Sequence, residues 1–281
     1  MTGLVLEGGA MRGLFSAGVL DVFMEEGLRF DSVMGVSAGA AFGCNYKSQQ
    51  PGRVIRYNTR YSRDWRYCSF RSLFATGDLY GANFCYRLLP NELDPFDNDT
   101  FNSNPSAFWV VCTDVETGEA VYRRCDRAGD ECSDWIRASA SMPLVSRVVR
   151  LEGRGYLDGG IADSIPLRAL EERGCERNVV ILTQPEGFVK EPASGMGLMR
   201  LALKKYPRVL EAVESRHIRY NEALDYVRRR EAESDALVIC PKEKLLISRV
   251  EHDAQKMRLA YELGRDAALE RLEEIKAFVN A

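Results

Sequence analysis

The spacing of apolar positions along this chain changes several times, and each change marks an element. Near the N-terminus "GLVLE" is a short, nearly unbroken apolar run of the kind a buried strand gives, and "GGAMRG" behind it is a glycine turn. From Gly13 the spacing becomes helical: Leu14, Ala17, Leu20, Phe23 and Met24 share one stripe, and Gly27 supplies a C-terminal stop. "SVMGV" returns to a strand, and "AGAAFGCNYKSQQPG" opens a helix of small residues. This strand-turn-helix order, given twice, predicts an α/β domain on a parallel sheet.

The pattern then blurs. In residues 51–105, "RVIRYNTRY" and "FCYRLL" have helical spacing, whereas "ATGDLYGAN" and "DPFDNDTFNSNP" read as loops. The stretch reads as an insertion over one end of the sheet, able to contribute a wall to a site. "AFWVVCTDVETGEAVYRR" predicts a hairpin around "ETG". "SDWIRASASMP" predicts a short helix with a serine cap, ended by Pro143, and "VVRLEGRGYLDGG" predicts two short strands. "IPLRALEERG" reads as a helix, "NVVILTQ" and "ALVICP" as buried strands, and 195–233 and 251–279 as charged amphipathic helices. No repeat, low-complexity tract or linker interrupts the chain. A single domain over 1–281 is expected, with a core over 1–185 and a helical completion carrying one further strand over 186–281.

Composition narrows the function classes. The 281 residues are 46% hydrophobic and 28% charged, as in ordinary soluble proteins, and are enough to enclose a dry site. A net charge of −3 gives no whole-molecule field for nucleic acid, and no nucleic-acid-binding motif is present. The eight cysteines are scattered without a C-x-x-C pair and read as reduced, mostly buried thiols, with no metal site implied. The first residues are too briefly apolar for a secretory signal, and no run approaches the roughly 18 apolar residues of a membrane span. A cytoplasmic protein is the default expectation, with peripheral contact at the inner membrane surface left open.

The chemistry concentrates at the two opening turns. Gly35-Val36-Ser37-Ala38-Gly39 fits G-x-S-x-G, a nucleophile elbow that holds its serine on a sharp turn between strand and helix. The helix starting at Ala38 then aims its N-terminal N–H groups at whatever binds beside Ser37. The competing reading is close packing of small residues. The first turn is a poor dinucleotide fingerprint, because its third position, where the fingerprint has a glycine, is Ala10 and the second strand ends without a carboxylate. A Walker lysine is also absent. The remaining use of such a turn is an oxyanion hole, where one donor is typically worth about 2.7–4 kcal/mol of barrier.

A serine nucleophile needs a base, and the chain has only two histidines. His217 in "VESRHIRYNEAL" and His252 in "SRVEHDAQKMRLAYELG" both read as exposed helix residues, which disfavours a Ser-His-Asp triad. Asp158 in "GYLDGGIADSIP" ends a strand and is followed by Gly159 and Gly160; alone it reads as a hairpin turn.

Taken together, the three motifs resemble those of bacterial patatin-like phospholipases, in the same order. They are the turn Gly8-Gly9-Ala10-Met11-Arg12-Gly13, the elbow Gly35 to Gly39, and Asp158-Gly159-Gly160. "ASASMP" and "IPLRAL" add to the likeness, which covers about residues 1–185 well. The resemblance implies a three-layer α/β fold with a mainly parallel sheet between helices. It implies a lipid acyl hydrolase of the phospholipase A type, with Ser37 as nucleophile and Asp158 as base. Oxyanion donors would come from the turn of Gly8, Gly9, Ala10, Arg12 and Gly13, supported by Gly35, Gly39, Gly159 and Gly160, without metal or cofactor. The ligand would be a lipid or other fatty-acyl ester. The alternative is a non-catalytic lipid-binding or regulatory protein on the same scaffold. One departure stands out: Ala10 occupies a position where the family usually has glycine, and a Cβ at positive φ costs about 1–2 kcal/mol. Finally, "SGMGLMRLALKKYPRVL" groups Met196, Leu198, Met199, Leu201 and Leu203 with Arg200, Lys204 and Lys205. Such a stripe faces either the core or a lipid interface.

Overall fold

A computed structural model describes residues 1–280. Eight strands form one sheet: β1 Thr2–Leu6, β2 Ser32–Val36, β3 Ala107–Asp114, β4 Ala120–Arg124, β5 Val149–Leu151, β6 Arg154–Asp158, β7 Arg177–Ile181 and β8 Ala236–Ile239. The order is β5-β6-β3-β2-β1-β7-β8, with β4 also on β3. The pairs β3–β2, β2–β1, β1–β7 and β7–β8 are parallel, while β4, β5 and β6 join antiparallel. β1 and β2 are almost wholly buried, as strands covered on both faces must be.

The helices are α1 Gly13–Glu25, α2 Ala38–Lys47, α3 Arg53–Tyr61, α4 Phe70–Thr76, α5 Asn98–Ser103, α6 Asp130–Ser139, α7 Leu167–Glu171, α8 Met196–Ala202, α9 Pro207–Glu214, α10 Arg216–Ala232, α11 Ala254–Glu270 and α12 Leu272–Asn280. They cover both faces of the sheet. Leu4, Leu6, Val33 and Phe108 belong to one apolar core with Phe15, Phe23 and Trp135, whereas Val5, Met34 and Val180 pack with Leu170, Tyr220 and Leu224 on the other side.

The register around β3 decides where the chain's reactive groups meet. Residues 107–111 of β3 pair with β2, residues 112–114 pair with β6, and residues 109–113 pair with β4. A strand has only two edges, and β4 shares partners with both others, so β2 and β6 lie in tandem on the same edge. They run toward each other. Val36 pairs with Val111 and Asp158 with Cys112, so the C-terminal ends of β2 and β6 meet.

The C-terminal segment is bound tightly to this core. β8 extends the parallel sheet beyond β7. α11 crosses α1 backbone to backbone: a Cβ at Gly18 would fall 2.0 Å from the Tyr261 carbonyl oxygen, and one at Gly264 would fall 1.9 Å from that of Phe15. Tyr261 also donates to the buried Asp21 carboxylate at 2.6 Å.

Several local expectations differ from the structure. The supposed loop 94–105 contains α5, capped by Asp97, whose side chain accepts from Thr100 N, and α4, capped by Ser69 through Ser72 N, lies in the unassigned stretch that runs into the first supposed loop. "FCYRLL" belongs to a π-helix over Phe84–Leu93 with Pro90 inside it, where the proline gives no N–H to the helical ladder. α6 starts three residues before Ser133, behind Gly129 at φ 130°, so no serine caps it. His252 precedes α11, whose cap is Asp253. All eight cysteines are free, six of them buried.

Candidate active site

Ser37 sits between β2 and α2 with φ 55° and ψ −120°, a strained conformation for a residue with a Cβ. The strain is held from several directions. Ser37 N donates to Ser139 Oγ at 2.8 Å, and Ser139 Oγ donates to Val111 O at 2.6 Å. A Cβ at Gly39 would lie 2.4 Å from Leu6 O, and one at Gly35 would lie 2.6 Å from Ala40 N, so the helix starts directly against both strands. Gly8 faces Ser37 closely, since a Cβ there would come within 3.0 Å of Ser37 Cβ.

Asp158, at the end of β6, is buried at 2% exposure. Its N–H donates to Ser141 O at 2.8 Å, and its carbonyl accepts from Thr113 Oγ1 at 2.8 Å. Carboxylate Oδ1 accepts from Gly160 N at 2.7 Å, whereas Oδ2 is buried and unpaired within ordinary hydrogen-bond geometry. Burial raises the pKa of this carboxyl above its usual range, against the opposing effects of the Ser37 hydroxyl, the Arg216 guanidinium and Gly160 N–H. A buried carboxylate with a free oxygen next to a serine hydroxyl is equipped to accept a proton.

The first glycine turn completes the cluster. Gly8, Gly9 and Ala10 have N–H groups without acceptors among the described residues. Ala10 has φ 49°, so the Cβ is present at a positive-φ position. Met11 and Arg12 continue as a short 3-10 turn into Gly13, where a Cβ would fall 2.9 Å from Ala38 Cβ. The structure therefore brings the three sequence motifs to one point.

Sequence reasoning missed several supporting groups. Ser139 and Ser141, from "ASASMP", hold the two reactive residues together, one by its hydroxyl and the other by its carbonyl. Glu7, just before the glycine turn, is buried and accepts from Thr183 N at 2.5 Å, Thr183 Oγ1 at 3.0 Å and Tyr220 OH at 2.6 Å. A carboxylate closing an otherwise apolar buried strand was the available signal. Neither histidine joins the cluster. His252 is exposed, with Nδ1 2.6 Å from Ser62 O, and half-buried His217 is on α10.

Over Ser37 opens a cavity of about 470 Å³, lined by Met11, Phe42, Tyr57, Tyr86, Leu89 and Ile136 among others. Residues 51–105 supply much of its wall, as expected for the insertion. Met199 of α8 reaches the same cavity. The stripe on α8 divides: Met196, Met199 and Leu203 pack inward, while Leu198 and Leu201 are exposed.

Residues 4–171 match the family model described as patatin-like phospholipase. The chain belongs to this family. Residues 206–280 match a second model, a domain of unknown function (DUF6363). Among curated relatives of this patatin-like chain, an uncharacterised Escherichia coli protein, YjjU, is 29% identical over 93% of this chain and 74% of its own length. Lysophospholipase NTE1 of Candida glabrata is 29% identical over 62% of this chain, which corresponds to only 10% of that much longer protein. A solved structure of VipD from Legionella pneumophila aligns with 97% of this chain and 67% of its own at 14% identity and a TM-score of 0.47. No helix among the described residues is long and apolar enough to cross a membrane.

Proposed function

We propose that this patatin-like protein is a serine acyl hydrolase that cleaves fatty-acyl esters of lipids. In this reading Ser37 Oγ attacks the ester carbonyl while Asp158 Oδ2 takes its proton. The oxyanion rests on the free N–H groups of Gly8, Gly9 and Ala10, with Arg12 and Gly13 fixing the turn. The protonated Asp158 returns its proton to the leaving alkoxide as the acyl-enzyme forms. Water then repeats the sequence and releases the fatty acid. Gly35, Gly39, Gly159 and Gly160 keep the backbones close enough for this geometry. The fatty chain occupies the apolar cavity, and the whole chain, 1–281, acts as one unit because α11 and β8 are built into the core. Exposed Leu198 and Leu201, with Phe70 and Phe74 on α4, give the protein a means of resting on a lipid surface.

The observation that carries the reading is the unpaired, buried Asp158 oxygen at the meeting point of β2 and β6, opposite a strained serine. The membership of the family and the likeness to a protein named a lysophospholipase support lipid esters as the substrate class. The test is hydrolysis of p-nitrophenyl esters and release of fatty acid from membrane extract. Ser37→Ala should lower both by at least about 10³-fold. Equal rates in parent and variant would remove Ser37 from the role, and an inactive parent would favour the lipid-binding alternative.

A further inference from the structure

Beside the apolar cavity over Ser37, and reaching its lining at Arg249, stands a concentration of positive charge that ester hydrolysis alone does not require. Arg12 comes from the glycine turn, Lys190 from the segment after β7, Arg216 from the first residue of α10, and Arg249 from the segment before α11. Contacts tie them to the site. Arg216 Nε donates to Gly160 O, and its Nη2 lies 3.1 Å from where a Gly160 Cβ would sit. Lys190 Nζ stands 4.4 Å from the centroid of the Tyr220 ring, and Tyr220 holds Glu7 beside the turn. Arg249 lines the cavity together with Ala10 and Ser37.

These cations are poorly compensated. Among the described residues none of the four forms an ion pair with a carboxylate. The carboxylates whose charge reaches them are Glu7, already engaged by Thr183 and Tyr220, and Asp158. Arg12 Nε is buried with no acceptor at all. Burial lowers the pKa of Arg12, Lys190 and Arg216, and the neighbouring cations lower each further, Lys190 to about 8. Gathering like charges in a half-buried place is unfavourable unless an anion binds there.

We propose that Arg12, Lys190, Arg216 and Arg249 form a subsite for the phosphate of the substrate's headgroup, selecting phosphate-bearing acyl esters over neutral ones. The inference rests on the ester-hydrolase reading and deepens it. The fatty chain enters the apolar cavity, the phosphate meets the cations, and the ester between them lies over Ser37. Guanidinium groups suit this role because their planar donors match phosphate oxygens.

The test uses dihexanoylphosphatidic acid and dihexanoylglycerol below their aggregation concentrations, which removes attraction to a charged surface. The parent should prefer the phosphate-bearing lipid by about tenfold or more in kcat/KM. Lys190→Gln and Arg249→Gln should each narrow that ratio about fivefold, mainly through KM, and Lys190→Arg should restore it. A second arm titrates Ser37→Ala protein with dihexanoylphosphatidic acid and with inorganic phosphate by calorimetry, and needs no turnover. Saturable lipid binding, weakened by adding Lys190→Gln, supports the subsite even if the parent hydrolyses neither lipid, in which case only the hydrolase reading fails. An unmoved ratio together with unaltered binding overturns the subsite, and inorganic phosphate binding as tightly as the lipid overturns its assignment to a headgroup.

Discussion

The floor and the roof of the cavity are built on different principles. The floor consists of strand ends. Ser37 and Asp158 owe their places to register on β3, to backbone bonds through Ser139 and Ser141, and to glycines where a Cβ would strike a neighbouring main chain. The roof, from the 51–105 segment, consists of short helices and a π-helix, and meets the cavity mostly through apolar side chains such as Tyr57, Tyr86 and Leu89. Backbone positioning leaves little latitude for substitution. A side-chain wall can change its contour without disturbing the strands beneath. The difference separates the part of the molecule that would do chemistry from the part that would choose the acyl chain.

The largest effect expected from breaking the floor is Asp158→Asn. Esterase activity should fall by about 10³-fold or more, because the amide cannot take the serine proton. Stability should move the other way. Burial raises the Asp158 pKa in the fold, so the folded state favours the protonated acid, and the parent loses stability as pH rises through that raised value. Asparagine removes the ionisation. Its Tm should therefore exceed the parent's by roughly 2 °C or more near neutral pH, with the gap closing toward about pH 4. Thermal melts across that range check the sign; a lower Tm at pH 7 would mean that the ionised carboxylate is a stabilising part of the floor.

A change to the roof should alter preference without stopping the reaction. Cys85→Phe places a ring in the cavity wall, and kcat/KM for long-chain p-nitrophenyl esters should drop about tenfold while butyrate changes by no more than about twofold. Equal losses for both chain lengths would show that the roof also positions the floor. The smallest effect belongs to Ala10→Gly, which relieves the Cβ at φ 49°. A gain of about 0.5–1 kcal/mol in denaturant unfolding is expected, after the extra freedom of glycine in the unfolded chain, with esterase activity no lower than the parent's.

The same contrast explains what could be read from sequence. The floor was legible because close backbone approach demands glycine, and "GGAMRG", "GVSAG" and "DGG" record that demand directly. The parallel sheet followed from the period changes in the first fifty residues. What joins the motifs was less accessible: the Ser37–Ser139 bond spans 102 residues, and nothing local in "ASAS" reveals its partner. In the roof, α4 and α5 are only 7 and 6 residues long, too short for a period to declare itself. The cations Lys190, Arg216 and Arg249 lie in charged stretches where a functional arginine looks like any solvated one. Only their convergence distinguishes them.

The central claim is that the buried Asp158 carboxylate activates one serine, Ser37. Reaction with a fluorophosphonate, followed by intact mass and peptide mapping, tests it most directly. The account predicts a single adduct on Ser37 in the parent and none in Asp158→Asn under the same conditions. An adduct on a different serine, or equal labelling of Ser37 with and without Asp158, would contradict it.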